Sequence, residues 1–529
     1  MTSTNSPGYI TLALSTGALT LLPGQSATLT VKTQATRSLS GPITLSLRGA
    51  QGTSLDGLSY AFEPEVLQLA SGAMASSQLR VAALPTAEPR EFKLEVVGAV
   101  DGTEETAALS ITTSGTGLGW MRQAGTAGSE TLAGMAADSQ GGVYVVGYTS
   151  GAFDGRPVTG EAGTYDAFIL KYRRSGALEW VRQFGTPKSD VPLAIAVDDY
   201  DNAYIAGNTY GTFTGQVSMG KRDGFVAKVG ATGNILWLKQ VGTSELDQLT
   251  AISVDKQGQV VVAGETEGGF MGFANKGRAD LFAMRLSAEG SVLWTQQIGS
   301  DQNEVVSGVA VDGGEGGSGA AYVVGGTEGV LLDAVTQGLQ DGFLIKLGAD
   351  GKVAWTRQVG TSGSDQLTAV VLDAASAATG AATSVYVGGW TRGSFSGQLQ
   401  LGGQDALLLR YSADGTRTLG KQFGTSFFDT LGGLTWVGGK LYSVGSTKGA
   451  FAGQDALGAQ DAFVARHNTD GSIGWLHQFG TDQVEYGTAV AGRDDVLYVG
   501  GYTYGAFDGF MLQGDSDGYV IQILPRPSP

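Results

Sequence analysis

The chain has 529 residues, of which 85 are glycine, 12 are proline and none is cysteine. Hydrophobic residues make up 42% and charged residues 16%, and this apolar-rich, charge-poor composition excludes intrinsic disorder. The formal net charge of −17 disfavours nucleic acid and anionic lipids as partners because both need basic surfaces, and the lack of cysteine excludes disulfides and thiolate metal sites.

The N-terminal region has a different sequence pattern from the rest of the chain. Residues 1–8 are polar, do not resemble a signal peptide and predict a flexible tail. Residues 9–113 hold alternating apolar runs, such as Ile43–Leu47 and Glu91–Val97, separated by glycine-containing turns. About seven strands in this length predict an immunoglobulin-like β-sandwich without its cysteine pair, followed by a short linker at residues 114–116.

From residue 117 onward the sequence repeats. Each copy opens with W-x-x-Q-x-G-[TS] or a variant with Leu419 in the tryptophan place, and successive starts are 60, 57, 57, 61, 64 and 56 residues apart. A Val/Tyr-rich run, a T-x-G-x-F segment and a D-x-[FLY] segment follow. Four short β-like runs per copy with glycine turns predict an all-β, seven-bladed propeller over residues 117–524. The six tryptophans are Trp120, Trp180, Trp237, Trp294, Trp355 and Trp475.

One position indicates which run is innermost. Fourteen residues after each tryptophan place stands only glycine or alanine, as at Gly134 and Ala194, and such small residues indicate a crowded position near the axis. In that register the run Gly117–Gln123 has no sheet of its own and the last run, Asp517–Leu524, lacks an outer partner. The two are predicted to pair and close the ring, which removes exposed edges. Residues 525–529 would be a C-terminal tail.

The pattern W-x-x-Q-x-G-T…V-Y-V-x-G-x-T-x-G-x-F…D-x-F-x-x-[KR] resembles the bacterial seven-bladed β-propeller repeat family (SBBP repeats). The resemblance covers residues 117–524, and segments Leu22–Val31 and Gly41–Leu47 look like immunoglobulin-like modules of exported bacterial proteins. It implies a secreted, periplasmic or cell-surface protein that binds or scaffolds, whose signal peptide is not in this chain. The resemblance supplies no catalytic residues.

Ten residues after each tryptophan place comes an acid. All seven acids precede the innermost run, so they are predicted to surround one mouth of the central channel. Such a ring could bind Ca²⁺, which prefers oxygen ligands; alternatively, each carboxylate accepts backbone N–H bonds within its own loop. The seven are Glu130, Asp190, Asp247, Glu304, Asp365, Asp429 and Glu485.

Residues beside the threonine that ends the Val/Tyr-rich run differ between copies. Four tyrosines there come from copies that are adjacent in a closed ring, so they are predicted to form one aromatic patch. Clustered tyrosines suit a sugar or a protein interface; alternatively, they pack between loops. Phe427 and Phe428 form a second patch. The candidate ligand-binding residues are Tyr148, Tyr210, Tyr502, Tyr504, Arg156 and Trp390.

These features predict an exported surface or envelope protein that uses the propeller face to bind a protein or glycan. It is expected not to be an enzyme, to bind no nucleic acid, to have no transmembrane segment and to need no cofactor, with Ca²⁺ as the possible exception. The alternative is a polysaccharide-acting hydrolase or lyase that uses the channel-mouth carboxylates. An enzyme needs a deep pocket with an asymmetric set of acids, whereas a binder needs only a shallow aromatic face.

Overall fold

A computed structural model describes most of the chain. The described residues are 10–21, 26–35, 40–55, 58–83, 91–100, 103–113, 117–153, 159–161, 163–314, 316–332, 334–373, 383–494 and 496–524. The predicted tails and linker, residues 1–8, 114–116 and 525–529, lie outside these ranges. The chain divides into two compact units, Met1–Trp120 together with Gln522–Pro529, and Met121–Ile521.

Residues 10–113 form nine strands in two sheets, in the orders β1-β3-β7-β5 and β2-β9-β8-β4-β6. Along β7, buried and exposed residues alternate, which places Leu79 and Val81 in a core shared with Phe92 of the other sheet. The sequence predicted about seven strands here, whereas the described residues hold nine, of which β2 and β6 are only four residues long. The strands are β1 (Ile10–Leu14), β2 (Ala18–Leu21), β3 (Ser26–Ala35), β4 (Gly41–Gly49), β5 (Leu58–Glu63), β6 (Val66–Leu69), β7 (Met74–Ala83), β8 (Glu91–Val100) and β9 (Thr103–Thr113).

From residue 117 onward, the described strands form seven four-stranded antiparallel sheets. Among the described residues of this region, helix is confined to short 3-10 turns such as Phe395–Gly397. The first six sheets are β11 (Glu130–Ala137), β12 (Val143–Thr149), β13 (Asp166–Tyr172), β14 (Leu178–Phe184); β15 (Asp190–Val197), β16 (Ala203–Thr209), β17 (Asp223–Val229), β18 (Ile235–Val241); β19 (Asp247–Val254), β20 (Val260–Thr266), β21 (Asp280–Leu286), β22 (Val292–Ile298); β23 (Glu304–Val311), β24 (Ala321–Thr327), β25 (Asp341–Leu347), β26 (Val353–Val359); β27 (Asp365–Leu372), β28 (Ser384–Thr391), β29 (Asp405–Ser412), β30 (Arg417–Phe423); β31 (Asp429–Val437), β32 (Lys440–Thr447), β33 (Asp461–His467), β34 (Ile473–Phe479).

The seventh sheet joins the two ends of the repeat region. It contains β35 (Glu485–Arg493), β36 (Val496–Thr503), β37 (Asp517–Leu524) and β10 (Gly117–Ala124), in the order β10-β37-β36-β35. The predicted pairing of the first and last strands is therefore confirmed. The first strand of each sheet contacts the first strand of the next, and β35 contacts β11, so these seven strands form a closed ring.

The small residues predicted at the crowded position sit where each first strand bulges. The register shifts between Leu132 and Gly134 in the first sheet, and equivalent shifts occur in the other six. A Cβ added at Gly134 would lie 3.3 Å from the side chain of Ile195 in the neighbouring first strand. Neighbouring strands therefore approach too closely here for a larger side chain.

The glutamine of W-x-x-Q holds each sheet together. Gln183 accepts from the Phe153 N–H at 3.0 Å, and its amide donates to Asp166 of the D-x-F segment at 3.2 Å. Gln123 makes the same bonds in the closing sheet, to Phe507 at 3.1 Å and Asp517 at 2.8 Å. These bonds join the outer strand, the third strand and the loop between the second and third strands within one sheet.

The tryptophans link neighbouring sheets. The indole N–H of Trp180 donates to the carbonyl of Ala231, in the turn between the third and outer strands of the next sheet, at 3.0 Å. Trp237, Trp294 and Trp355 make the equivalent bond. The Trp475 N–H has no acceptor among the described residues; the position equivalent to Ala231 is residue 525, which lies outside them.

Candidate binding face

We use the name repeat unit for the compact unit Met121–Ile521, which contains the seven copies. Two kinds of loop lie at one end of it. Glu130, at the start of the first strand, pairs with Thr149, at the end of the second, and the same pairing recurs in the other six sheets. The loops entering each sheet therefore lie beside the loops that join its second and third strands. We call this end the loop end. The opposite end, where the first strand turns into the second and the third into the outer strand, is the turn end.

The seven acids of the predicted ring stand at this pairing position, each at most 1% exposed. The Glu130 carboxylate accepts from the Thr126 N–H and hydroxyl, both at 2.6 Å, and from the Thr149 hydroxyl. The other six accept the same backbone bond from a threonine or serine four residues earlier. Each carboxylate therefore caps its own loop.

Burial makes most of these carboxyl groups weaker acids, because removal from water disfavours the charged form. It raises the pKa of Asp190 to about 6, although hydrogen bonds from Thr186 and Thr209 oppose the shift. It also raises the pKa of Glu130, Asp247, Asp365, Asp429 and Glu485. Within the described ranges, no group of three or more acidic or histidine side chains is placed to hold a metal ion. A shared calcium ion stays a prediction.

Some of the variable positions near the end of the second strands serve the fold. The Asn208 side chain accepts from the Leu249 N–H of the next sheet at 2.8 Å. Glu265 and Ser446 accept equivalent bonds at 2.6 and 3.0 Å. Tyr148 stands at the same place in the first sheet, and the facing residue of the next sheet is Pro192, which has no N–H. Variation between copies is therefore partly a matter of how neighbouring sheets pair.

Of the four predicted tyrosines, Tyr502 and Tyr504 are in ring contact, and Tyr148 lies near enough to affect the pKa of Tyr502. Tyr502 lies edge-on to Tyr504 at 6.1 Å between ring centroids. Burial raises the pKa of Tyr502, and the neighbouring hydroxyls of Tyr486, Tyr504 and Tyr148 raise it further. Tyr486 stacks on Tyr502 at 4.6 Å with an interplanar angle of 17°, and Tyr165 meets Tyr148 edge-on at 5.2 Å. We call these five residues the tyrosine cluster.

A cavity of about 300 Å³ adjoins the tyrosine cluster. Three successive first strands line it, through Thr368 of β27, Thr430 of β31 and Thr488 of β35. Tyr486 and Phe428 contribute aromatic rings to its wall. The sequence analysis named Phe428 as part of a separate patch and missed Tyr486, which lies within a first strand and looks like a sheet position.

The other predicted ligand-binding residues lie elsewhere. The Arg222 guanidinium lies over the ring of Tyr210, 5.9 Å from its centroid, and the Arg392 guanidinium lies 5.2 Å from the ring of Trp390. Tyr210 is thus held by its own sheet rather than by the tyrosine cluster. Arg156 falls outside the described residues.

The two ends of the repeat unit expose different amounts of apolar surface. Four residues after the G-x-F aromatic or its Leu331 equivalent, Val217, Val335, Leu399 and Met511 are 75–82% exposed in the loops of the loop end. At the turn end, Tyr200 in a turn is 80% exposed, and fewer and less exposed apolar side chains stand at the starts of outer strands, at Leu178, Ile235, Leu236, Val292, Leu293 and Ile473, which are 37–53% exposed. Further exposed apolar residues of the loop end are Tyr210, Met219, Met271, Val330, Leu332, Leu339, Leu401, Phe427, Phe428, Leu457 and Tyr504.

Across the described residues, no helix has the length and apolarity required to cross a membrane.

Comparison with known proteins supports the repeat. The profile of a β-propeller repeat family (SBBP) matches residues 119–154 and 179–213. The chain is 26% identical over 445 residues to the regulatory protein FlaEY of Caulobacter vibrioides, covering 74% of this chain and 44% of that protein's length.

Solved structures offer only distant likenesses. A quinonprotein alcohol dehydrogenase-like protein of Bacteroides thetaiotaomicron is 9% identical, with 77% of this chain and 94% of that chain covered and a TM-score of 0.25. A Synechocystis apocarotenoid oxygenase variant is 8% identical, with 84% and 94% covered and a TM-score of 0.26. These scores are too low to support an argument about activity. The family profile supports β-propeller repeats in this chain, and the strands of the described residues make it an all-β protein there.

Proposed function

We propose that this chain is an exported bacterial binding or scaffold protein whose loop end binds a protein or a glycan. In this proposal the seven sheets are the blades of a seven-bladed propeller, and the two sheets of residues 10–113 are an immunoglobulin-like sandwich. The observation that carries the proposal is the asymmetry of the repeat unit: exposed apolar and aromatic side chains concentrate in the loops of one end. Exposed apolar surface of this kind marks interaction sites.

The buried acids favour binding over catalysis. A polysaccharide hydrolase or lyase would need a carboxyl group that reaches the substrate. Glu130 and its six counterparts are at most 1% exposed and accept bonds from their own loops. The similar Caulobacter vibrioides protein is named a regulatory protein, and regulation through binding, without chemistry on a substrate, fits the same proposal.

Two sets of surface substitutions test the proposal. The first, Val217→Ser, Leu399→Ser, Tyr504→Ser and Met511→Ser, removes apolar surface at the loop end. The matched control, Tyr200→Ser with Leu178→Ser, removes exposed apolar side chains elsewhere on the same unit. Retention of envelope glycans and proteins by the immobilised full chain is expected to fall roughly tenfold or more in the first set, because buried anchors dominate interface affinity, and to persist in the control. Equal retention by both sets would contradict the proposed face.

A further inference from the structure

The cavity beside the tyrosine cluster has an uncharged wall in a strongly acidic chain. Its polar side chains carry hydroxyls or an amide, and Phe428, Leu431 and two glycines complete the lining; the polar residues are Thr368, Thr430, Ser446, Gln460, Tyr486 and Thr488. The nearest ring acids, Asp429 and Glu485, are fully buried, and their carboxylates accept bonds from Thr425 and Thr481. A charged ligand would find no partner of opposite sign in this wall, so the cavity suits a neutral group.

Two hydroxyls of the wall keep a proton to donate. The Thr430 hydroxyl accepts from the Gln404 amide at 2.7 Å, and the Ser446 hydroxyl accepts from the Gly487 N–H at 3.0 Å. Thr368 and Thr488, in contrast, donate to the carbonyls of Leu431 and Leu132. The cavity therefore combines aromatic rings with a few oriented hydroxyl groups, the composition of a small-molecule site.

Aromatic rings continue from the cavity across the loop end. Tyr486 both lines the cavity and stacks on Tyr502, whose other ring neighbour, Tyr504, is 47% exposed. A group bound in the cavity would therefore lie at one end of a row of aromatic rings. Such a row suits a ligand made of repeated ring-shaped units.

We propose that the cavity is a subsite for one uncharged sugar ring of a glycan, and that the glycan continues over Tyr486, Tyr502 and Tyr504. This inference rests on the proposed binding function and names its ligand class. The cavity volume is at the lower end of the range of small-molecule sites, so it admits a ring-sized group. The C–H faces of a sugar pack on aromatic rings while its hydroxyls meet Thr430 and Ser446. The net charge of −17 repels glycans rich in uronic acid or sulfate.

Adjacent phenylalanines provide the decisive variant and its control. Phe428 lines the cavity and is 45% exposed, whereas Phe427 is 55% exposed and is not among the lining residues. Isothermal titration of the full chain would use neutral hexasaccharides built from glucose, mannose or N-acetylglucosamine, with a hexauronate of the same length. A neutral hexasaccharide is expected to bind, and Phe428→Ala to weaken it roughly five- to tenfold through the lost ring contact. Phe427→Ala is expected to leave binding unchanged.

A second pair of variants tests the row of rings. The monosaccharide of the hexasaccharide that binds is titrated beside it. Tyr504→Ala is expected to weaken binding of the hexasaccharide but not of this monosaccharide. Tyr210→Ala, which removes a similarly exposed tyrosine that contacts Arg222, is expected to change neither. Binding of the hexauronate as tightly as the neutral sugar, or equal losses from Phe427→Ala and Phe428→Ala, would overturn the sugar subsite. If no oligosaccharide binds while the loop-end substitutions abolish retention of an envelope protein, the subsite is wrong and the binding function stands.

Discussion

The loop end and the turn end of the repeat unit are built from the same strands but are fixed in different ways. At the turn end, Asp138 accepts from the N–H groups of Gln140 and Gly142, and Asp198 and Asp255 make the equivalent turns. A basic residue of the third strand neutralises the aspartate in these sheets; Arg285, for instance, meets Asp255 at 3.0 Å. Hydrogen bonds to the backbone and buried ion pairs therefore stabilise this end.

At the loop end, the buried polar groups have different partners. Its buried acids bond to threonines of their own loops and have no basic partner among these contacts, and residues four positions after the G-x-F aromatic or its equivalent point outward. Since the acid, the threonines, the aromatic anchor and the glutamine–aspartate bonds hold each loop, many of the other loop positions differ between sheets. The contacts of the turn end therefore contribute mainly to stability, whereas the loop end is where the side chains differ most between sheets.

Breaking the ring should have the largest effect, because it removes the frame that both ends share. Deletion of residues 1–124 removes β10 and exposes the edge of β37, whereas deletion of residues 1–113 leaves β10 in place. We expect the longer deletion to lower the Tm far more and to cause aggregation. Thermal melts and light scattering would check this; equal Tm and solubility for the two truncations would refute the closure.

Removing one buried ion pair of the turn end should have the next largest effect on stability. Arg285 and Asp255 are each about 5% exposed, so Arg285→Met leaves a buried carboxylate unpaired and should lower the free energy of unfolding by about 3–5 kcal/mol. The control is Lys221→Met, which breaks an exposed ion pair with Glu245 at the loop end and should cost far less, because water screens surface ion pairs. Urea unfolding of both variants measures the difference.

The acids of the loop end predict a pH dependence of opposite sign to ordinary acid denaturation. Because the pKa of Asp190 is raised to about 6 in the folded state, the folded chain holds a proton that the unfolded chain has released between about pH 4 and 6. The stability of the wild type should therefore fall with rising pH relative to Asp190→Asn, by about 2–3 kcal/mol in total. Asp350→Asn, at an exposed carboxyl group whose pKa Lys352 lowers, should not reproduce this. Unfolding curves from pH 4 to 7 would reveal it; parallel profiles for wild type and Asp190→Asn would contradict it.

Calcium should have the smallest effect. Because the seven acids accept bonds from their own loops, we expect no specific shift in Tm with calcium concentration. A shared ion would instead raise the Tm as its concentration rises, and Asp247→Asn with Asp365→Asn would abolish the response. A shift seen with calcium, absent with magnesium and lost in the double variant, would show that the loop end binds an ion after all.

The repeat made much of this architecture predictable. The bounds of the closing strand Asp517–Leu524 follow from spacings that recur in seven copies, whereas the acids such as Glu130 and Asp190, predicted to precede the first strands, are their first residues. The N-terminal strands have no such repetition, and four-residue strands like Ala18–Leu21 carry too little pattern to be found.

The candidate site was less predictable than the fold. Tyr486 occupies a first strand where other copies carry threonine, valine or glutamine, and only the packing of neighbouring sheets places it on Tyr502 and beside the cavity. Tyr210 was expected to join the tyrosine cluster because its sheet is adjacent in the ring. Its partner is instead Arg222, which enters from the loop preceding the third strand of the same sheet. Contacts between side chains of different copies depend on geometry that a repeat pattern does not contain.

Closure through Gln123 and Asp517, which are 394 positions apart, has a consequence for synthesis on the ribosome. Each of the first six sheets can form as soon as its four consecutive strands have emerged. The outer strand of the seventh is made first and must wait, with its edge unpaired, until nearly the whole repeat region has been translated. During that interval the nascent chain is vulnerable to edge pairing with other chains, and the last strand to appear both completes the final sheet and ends that exposure.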